Sequence, residues 1–469
     1  MDWEYLSPID QILPRTYFGE ILCFPSTDEG LVSILRQGLS KVAVNVPQIT
    51  SSVVNDESRP GNIRLDRGHD SIDNVLVYRE NLAADMPDFE TLRMASFPIF
   101  PNSSLFYPHV PEVPWAAPWP VMRAEVTRIR GGSILVVLAH HCVFDGVALS
   151  GLLDMWAASC RDPLGPPPEV RIEQMNRKAM LENLPSNYQR SQPSVIFTVS
   201  NTRQLMPDIF SRLQQSFTSI LPKPSQPSWP ITMYRLPFYK LRNLKISLNQ
   251  YTSRFGLRFL STNDVLCALI WSCATMAMSP KFQPWISSSL CSTGVSVNVR
   301  SKLQPRLPDD FLGCAIGIAY IDIARKHLLA AAEGRSLDML ASVAAAIRRG
   351  VDGVTNKSMR DIISYVETEE NTSKLQWRPK RLNDFYIASW AHHRIYDADW
   401  GTAIGKCEAL RVAQMSLMPM CVILPARSKL MSEESQPRDL EVAISLQSTH
   451  MERFRKMKLI NEFAEIILR

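Results

Sequence analysis

No Gly-rich loop of the kind that cradles phosphates occurs in this chain of 469 residues, so nucleotide chemistry is not indicated. Nine cysteines include no C-x-x-C pair. An odd count without that spacing argues against both a disulfide framework and a zinc ribbon, and the thiols read as reduced. No apolar run is long enough to span a bilayer: the longest, Val265 to Met278, is interrupted by Ser272 and Thr275. No block of one charge stands out either. Lys and Arg total 51 against 46 acidic residues, a formal charge of +5, and they are scattered. That pattern excludes the basic footprint of a nucleic-acid binder. The opening Met1-Asp2-Trp3-Glu4-Tyr5 lacks the charged-then-apolar layout of a signal peptide. The expectation is a soluble, cytoplasmic monomer with neither nucleic acid nor membrane as a partner.

What is present is an ordinary globular composition, 45% hydrophobic and 21% charged, long enough for two domains. Leu6-Ser7-Pro8-Ile9-Asp10 reads as a turn feeding a strand at Ile21–Phe24, and Leu31, Ile34, Leu35 and Leu39 share one helix face. The proline-studded stretch 102–120, with Phe106, Tyr107, Trp115 and Trp119, reads as an ordered loop suited to lining a pocket. A second proline-rich stretch, Leu221 to Pro230, reads as a linker. Domain limits are therefore expected at 1–195 and 231–469, with a crossover over 196–230. Ser261-Thr262-Asn263-Asp264 opens a long apolar helix, Leu440–Leu446 alternates as a strand, and a last helix is expected from about Met451.

The densest signal is Ala139-His140-His141-Cys142-Val143-Phe144-Asp145-Gly146. Before it, Ser133–Leu138 is a β-branched apolar run bounded by Gly131-Gly132, the mark of a buried strand. After it, Leu149, Leu152, Leu153 and Trp156 recur at helical spacing. Two histidines thus sit where a strand ends and a turn begins. Imidazole takes and returns a proton near neutral pH, so such a histidine is a candidate general base.

His-His-x-x-x-Asp-Gly resembles the active-site motif of the CoA-dependent acyltransferases: chloramphenicol acetyltransferase, the BAHD family and the condensation domains of peptide synthetases. Further segments point to the fungal branch of the BAHD family. Ser261 to Trp271 is similar to its Ser-Thr-x-Asn-Asp helix. Val295 to Leu303, with Arg300, is similar to its Gly-Arg-Ser-Arg-Leu segment. Asp399-Trp400-Gly401 looks like its Asp-Phe-Gly-Trp-Gly signature, with Gly405 displaced. The resemblance runs from about residue 6 to 465. It implies an α/β fold of two chloramphenicol-acetyltransferase-like domains, each a mixed sheet with flanking helices, and an active-site tunnel between them.

The resemblance also implies roles. His141 is the general base for acyl, most simply acetyl, transfer from CoA to a small-molecule alcohol or amine. Asp145 turns away from it to pair with Arg300, and with Gly146 these residues support the site. Asp399 is a further catalytic candidate, and Trp400 and Gly401 belong to the CoA pocket or serve the oxyanion. No permanently bound cofactor and no metal are expected; acetyl-CoA is a co-substrate. Neighbours on an extended chain point to opposite faces, which disfavours both a Cys142–His141 nucleophile pair and a metal shared by His140, His141 and Cys142. Two rivals stay open: a condensation-type enzyme that takes acyl groups from a carrier protein, and a non-acylating member that binds or cyclises a metabolite.

Overall fold

The computed structural model describes residues 4–67, 70–80, 87–98, 117–182, 184, 192–198, 229–279, 289–377, 384–413, 418–427 and 438–467. Most of the 102–120 loop and of the 196–230 crossover lies outside the described residues. The first half contributes strands β1 (Tyr17–Phe24), β2 (Leu76–Glu80), β3 (Met122–Ile129) and β4 (Gly132–His140). The second half contributes β5 (Ile231–Leu236), β6 (Leu290–Asn298), β7 (Ile316–Ala324), β8 (Phe385–Ser389), β9 (Ala409–Val412), β10 (Met420–Ile423), β11 (Leu440–Ser445) and β12 (Glu465–Ile466).

These strands form two mixed sheets, in the orders β9-β1-β4-β3-β2 and β7-β6-β8-β10-β11-β5-β12. Strand β4 lies at the middle of the first, antiparallel to β1 and β3 along its whole length. All nine of its residues are buried, as a central strand covered on both faces requires, and that is why its sequence is an unbroken apolar run. Strand β9 departs from the chain's division: it belongs to the second half but pairs with β1, Val412 opposite Glu20.

Six helices matter to the site: α1 (Pro8–Ile12), α2 (Leu31–Asn45), α3 (Gly146–Arg161), α4 (Thr262–Met278), α5 (Leu337–Gly353) and α6 (Asn356–Thr368). Helix α3 packs on α2, and its Trp156 donates from the indole N–H to the Leu35 carbonyl at 2.9 Å. Helix α4 is apolar all round because it is buried all round, between α5 and the second sheet. Its start is the expected one: Ser261 caps the Asp264 N–H, and Asp264 accepts from the Ser261 N–H.

Two local readings are corrected. The segment read as a turn, Leu6 to Asp10, instead leads into α1 from Pro8, because Ser7 and Asp10 form a capping box and Pro8 occupies the first helical position. The last helix is two, Ser448–Arg455 and Lys458–Phe463, broken at Lys456-Met457. Among the described residues no helix is long and apolar enough to cross a membrane.

Candidate active site

Strand β4 ends at His140, and the chain turns at once. The His141 N–H donates to the Thr16 carbonyl at 2.8 Å, which ties the turn to the start of β1. The Val143 and Phe144 N–H groups donate back to the His140 carbonyl at 2.9 and 3.3 Å. Asp145 then caps α3, accepting from the Ala148 N–H at 2.8 Å. This geometry separates the two histidines. His140 is fully buried, edge-on to Tyr17 and stacked with Trp119. Burial above all, with His141 and Arg15 nearby opposing a second positive charge, pushes its pKa down to about 3, so it is a neutral core side chain.

His141 is half-buried and lines a cavity of about 1150 Å³. Its ring tilts against Phe18 with centroids 4.6 Å apart. The first half supplies Phe18, His141 and Gly146 to the cavity wall, and the second supplies Ser296, Tyr386 and Trp390. The cavity is thus the expected one between the two halves. Burial moves the His141 pKa below its ordinary value, with the charge of Asp145 acting the other way. The imidazole therefore stands ready as a base at neutral pH.

Asp145 does not orient that ring. Its carboxylate is gripped by Arg300 through two parallel bonds of 2.9 Å, and it also accepts from the Ala148 and Ala315 N–H groups. Both oxygens are taken. Arg300 spends further donors on the carbonyls of Phe311 (2.9 Å) and Gly313 (2.8 Å). The side chains are 1% exposed on each side of the pair. Burial alone would raise the Asp145 carboxyl; Arg300 and the backbone donors outweigh it and hold the carboxyl below its ordinary range. The pair joins the helix start after His141 to the segment after β6, and so stitches the two halves together beside His141.

A profile of the Transferase family matches residues 2–459. The chain belongs to that family.

Relatives share modest identity over most of the length. An O-acetyltransferase of Cryptosporiopsis sp. (strain 8999) is 23% identical, over 96% of this chain and 93% of its own. The fumigaclavine B O-acetyltransferase of Aspergillus fumigatus is 22% identical over 94% and 93%. The trichothecene 3-O-acetyltransferase of Saccharomyces cerevisiae is 24% identical over 86% and 84%. Among solved structures, TRI101 of F. sporotrichioides in complex with coenzyme A and T-2 has a TM-score of 0.78 at 18% identity, covering 99% of both chains. The resemblance to the BAHD acyltransferases holds, and with it the two-domain α/β fold; the relatives named are O-acetyltransferases, and the TRI101 structure holds coenzyme A.

Not every expected site residue of this acyltransferase gathers at His141. Asp399 is exposed, and its Oδ1 accepts from the Gly401 N–H at 3.0 Å, capping a tight turn. It is absent from the cavity wall, so the expectation of a catalytic Asp399 is set aside on position. Trp400 is likewise not an oxyanion donor. It is fully buried, edge-on to Phe24 and Trp156, and outside the cavity lining. Gly401, at φ +86, brings the turn against the end of α3, where a Cβ would lie 2.9 Å from Arg161 Cα. The signature therefore buttresses the helix that begins at Asp145.

Four contributors, in two pairs, were not assigned to the site from the sequence. Asp10 of α1 is fully buried and pairs with Arg177 at 3.2 Å, and it also accepts from the Cys314 N–H. Arg177 in turn donates to the carbonyls of Val143 and Leu312, so this pair braces the motif turn from behind. His393 and Glu20 approach to 2.9 Å in the core, and His393 stacks on Trp390, whose indole abuts Gly146 and the cavity. Only the capping-box spacing of Ser7 and Asp10 was a local signal for any of them; the rest depend on long-range pairing.

Proposed function

We propose that this chain moves an acetyl group from acetyl-CoA to a hydroxyl of a specialised metabolite, with His141 as the general base. The observation that carries the reading is a half-buried imidazole, depressed in pKa, opening on a cavity that both halves line. His141 takes the hydroxyl proton as the oxygen attacks the thioester carbon. The C–O bond forms, the C–S bond breaks, and the imidazolium returns the proton to the departing thiolate. Asp145, Arg300 and Gly146 hold the turn that aims His141, and no enzyme side chain carries the acyl group. The units are taken as 1–195 and 231–469 with a crossover at 196–230. They are supported by the division of strands between two sheets, with β9 as the exception. We place the enzyme in the cytoplasm as a monomer.

Free thiol released from acetyl-CoA in the presence of a panel of alcohols tests the reading. His141→Ala should lower turnover by about 10²- to 10⁴-fold while CoA affinity stays within a few-fold. Acceptor-dependent thiol release that survives in His141→Ala, or no release with any alcohol, would overturn it.

A further inference from the structure

Arg15 lies in the short link between α1 and β1, one residue before the carbonyl that holds the His141 N–H, and its side chain lines the cavity. Among the described residues its guanidinium makes a single hydrogen bond, to the Gly61 carbonyl at 2.5 Å. The same carbonyl accepts from Thr372 Oγ1 at 3.3 Å, so a hydroxyl that also lines the cavity stands beside the cation. A guanidinium has five N–H donors, which leaves most of this one uncommitted.

The other charges in the cavity wall are balanced. Arg300 is matched by Asp145. Arg348 is matched by Asp264 at 3.5 Å and Asp352 at 2.9 Å. Burial pushes both lining histidines, His141 and His392, toward the neutral form. No carboxylate among the described residues forms an ion pair with Arg15. Among the described titratable groups the one that favours its charge is Cys142, whose thiol burial itself keeps protonated. Against these stand apolar walls from Val295, Val297, Ile318 and Met420, which weaken solvent screening. A desolvated cation without a counter-ion is unfavourable unless a ligand supplies one.

We propose that Arg15 is a specificity-determining residue that receives a carboxylate, or another anionic group, on the acceptor, so that the substrate is an apolar-bodied hydroxy acid. This deepens the acetyl-transfer reading and rests on it. The same chemistry has a second source, the phosphates of CoA, and the experiment separates the two.

The full-length protein is titrated by fluorescence with pyrene-1-carboxylate and with neutral 1-pyrenemethanol, and by calorimetry with CoA. Wild type should bind the acid about 10- to 100-fold tighter than the alcohol, the range expected for charge-assisted hydrogen bonds. In Arg15→Met that preference should vanish, in Arg15→Lys part of it should remain, and CoA affinity should stay within about twofold. Arg15→Gln, which keeps a donor for Gly61, substitutes if the methionine variant does not fold. An absent preference in wild type, or one that survives in Arg15→Met, would overturn the proposal. So would a tenfold loss of CoA binding in Arg15→Met, which would assign the cation to CoA. Thiol release in the same preparations tests acyl transfer separately, so the two readings fail by different signs.

Discussion

Removing one member of the Asp145–Arg300 pair strands a buried charge, and the size of the loss follows from what each partner keeps. Arg300→Met leaves the Asp145 carboxylate with the Ala148 and Ala315 N–H groups, so the loss belongs at the low end of the range for broken buried pairs, about 3 kcal/mol. Asp145→Asn preserves the helix cap but turns an amide NH₂ or a single oxygen toward the guanidinium fork. Arg300 still holds the Phe311 and Gly313 carbonyls, so this loss is also about 3 kcal/mol. In the double variant no charge is orphaned. Its loss should be about 4 kcal/mol rather than about 6, a coupling of about 2 kcal/mol. Denaturant unfolding of the four proteins at pH 7 measures it. Losses that add to within about 0.5 kcal/mol would show that the residues do not act as a pair, whatever their separation. Acid titration gives an independent reading. The folded Asp145 carboxyl sits below the ordinary value of 3.8, so its contribution is complete above about pH 4 and drains away as pH falls toward the lowered value. Arg300→Met should lose that acid-side decline.

The depressed His141 pKa places the acidic inflection of kcat/KM below the ordinary 6.5, with activity rising through it and flat near neutrality; an inflection above 7 in a pH–rate profile would contradict the burial argument. Cys142 is buried against the Leu13 and Pro14 carbonyls with its thiol pushed well up, so intact mass after incubation with acetyl-CoA alone should show no acyl adduct. Gly146→Ala drives a methyl to 2.9 Å from the Trp390 indole nitrogen. It should cost about 1–3 kcal/mol by thermal unfolding, and an unchanged melting temperature would mean that Trp390 yields freely.

How much of this was readable depended on distance along the chain. Ser133–Leu138 announced a central strand because both faces of β4 are covered, and the helix after Asp145 announced itself by its apolar spacing. Arg300 was linked to Asp145, 155 residues away, only because two separate motifs resembled one family. Asp399 and Trp400 carried the same kind of signal, but a motif does not distinguish touching the substrate from buttressing a helix. Burial and the shape of the turn decide that. Glu20 and His393 had no signal at all. A lone Glu within an apolar strand gives no hint that a histidine 373 residues later meets it in the core. Pairing of β9 with β1 is equally silent in sequence, since a four-residue strand has little pattern to read.

Strand β9 also bears on how the molecule can move. It leaves the second half and lies against β1, with Ala413 donating to the Gly19 carbonyl and Val412 opposite Glu20. The halves are therefore laced rather than hinged. Swinging them apart would tear backbone bonds from the very strand whose start tethers His141. Reactants must reach the imidazole through the cavity between the halves as it stands, rather than through the opening of a clamshell. The first half released by cutting the chain would bare the β1 edge, a template for pairing with other chains.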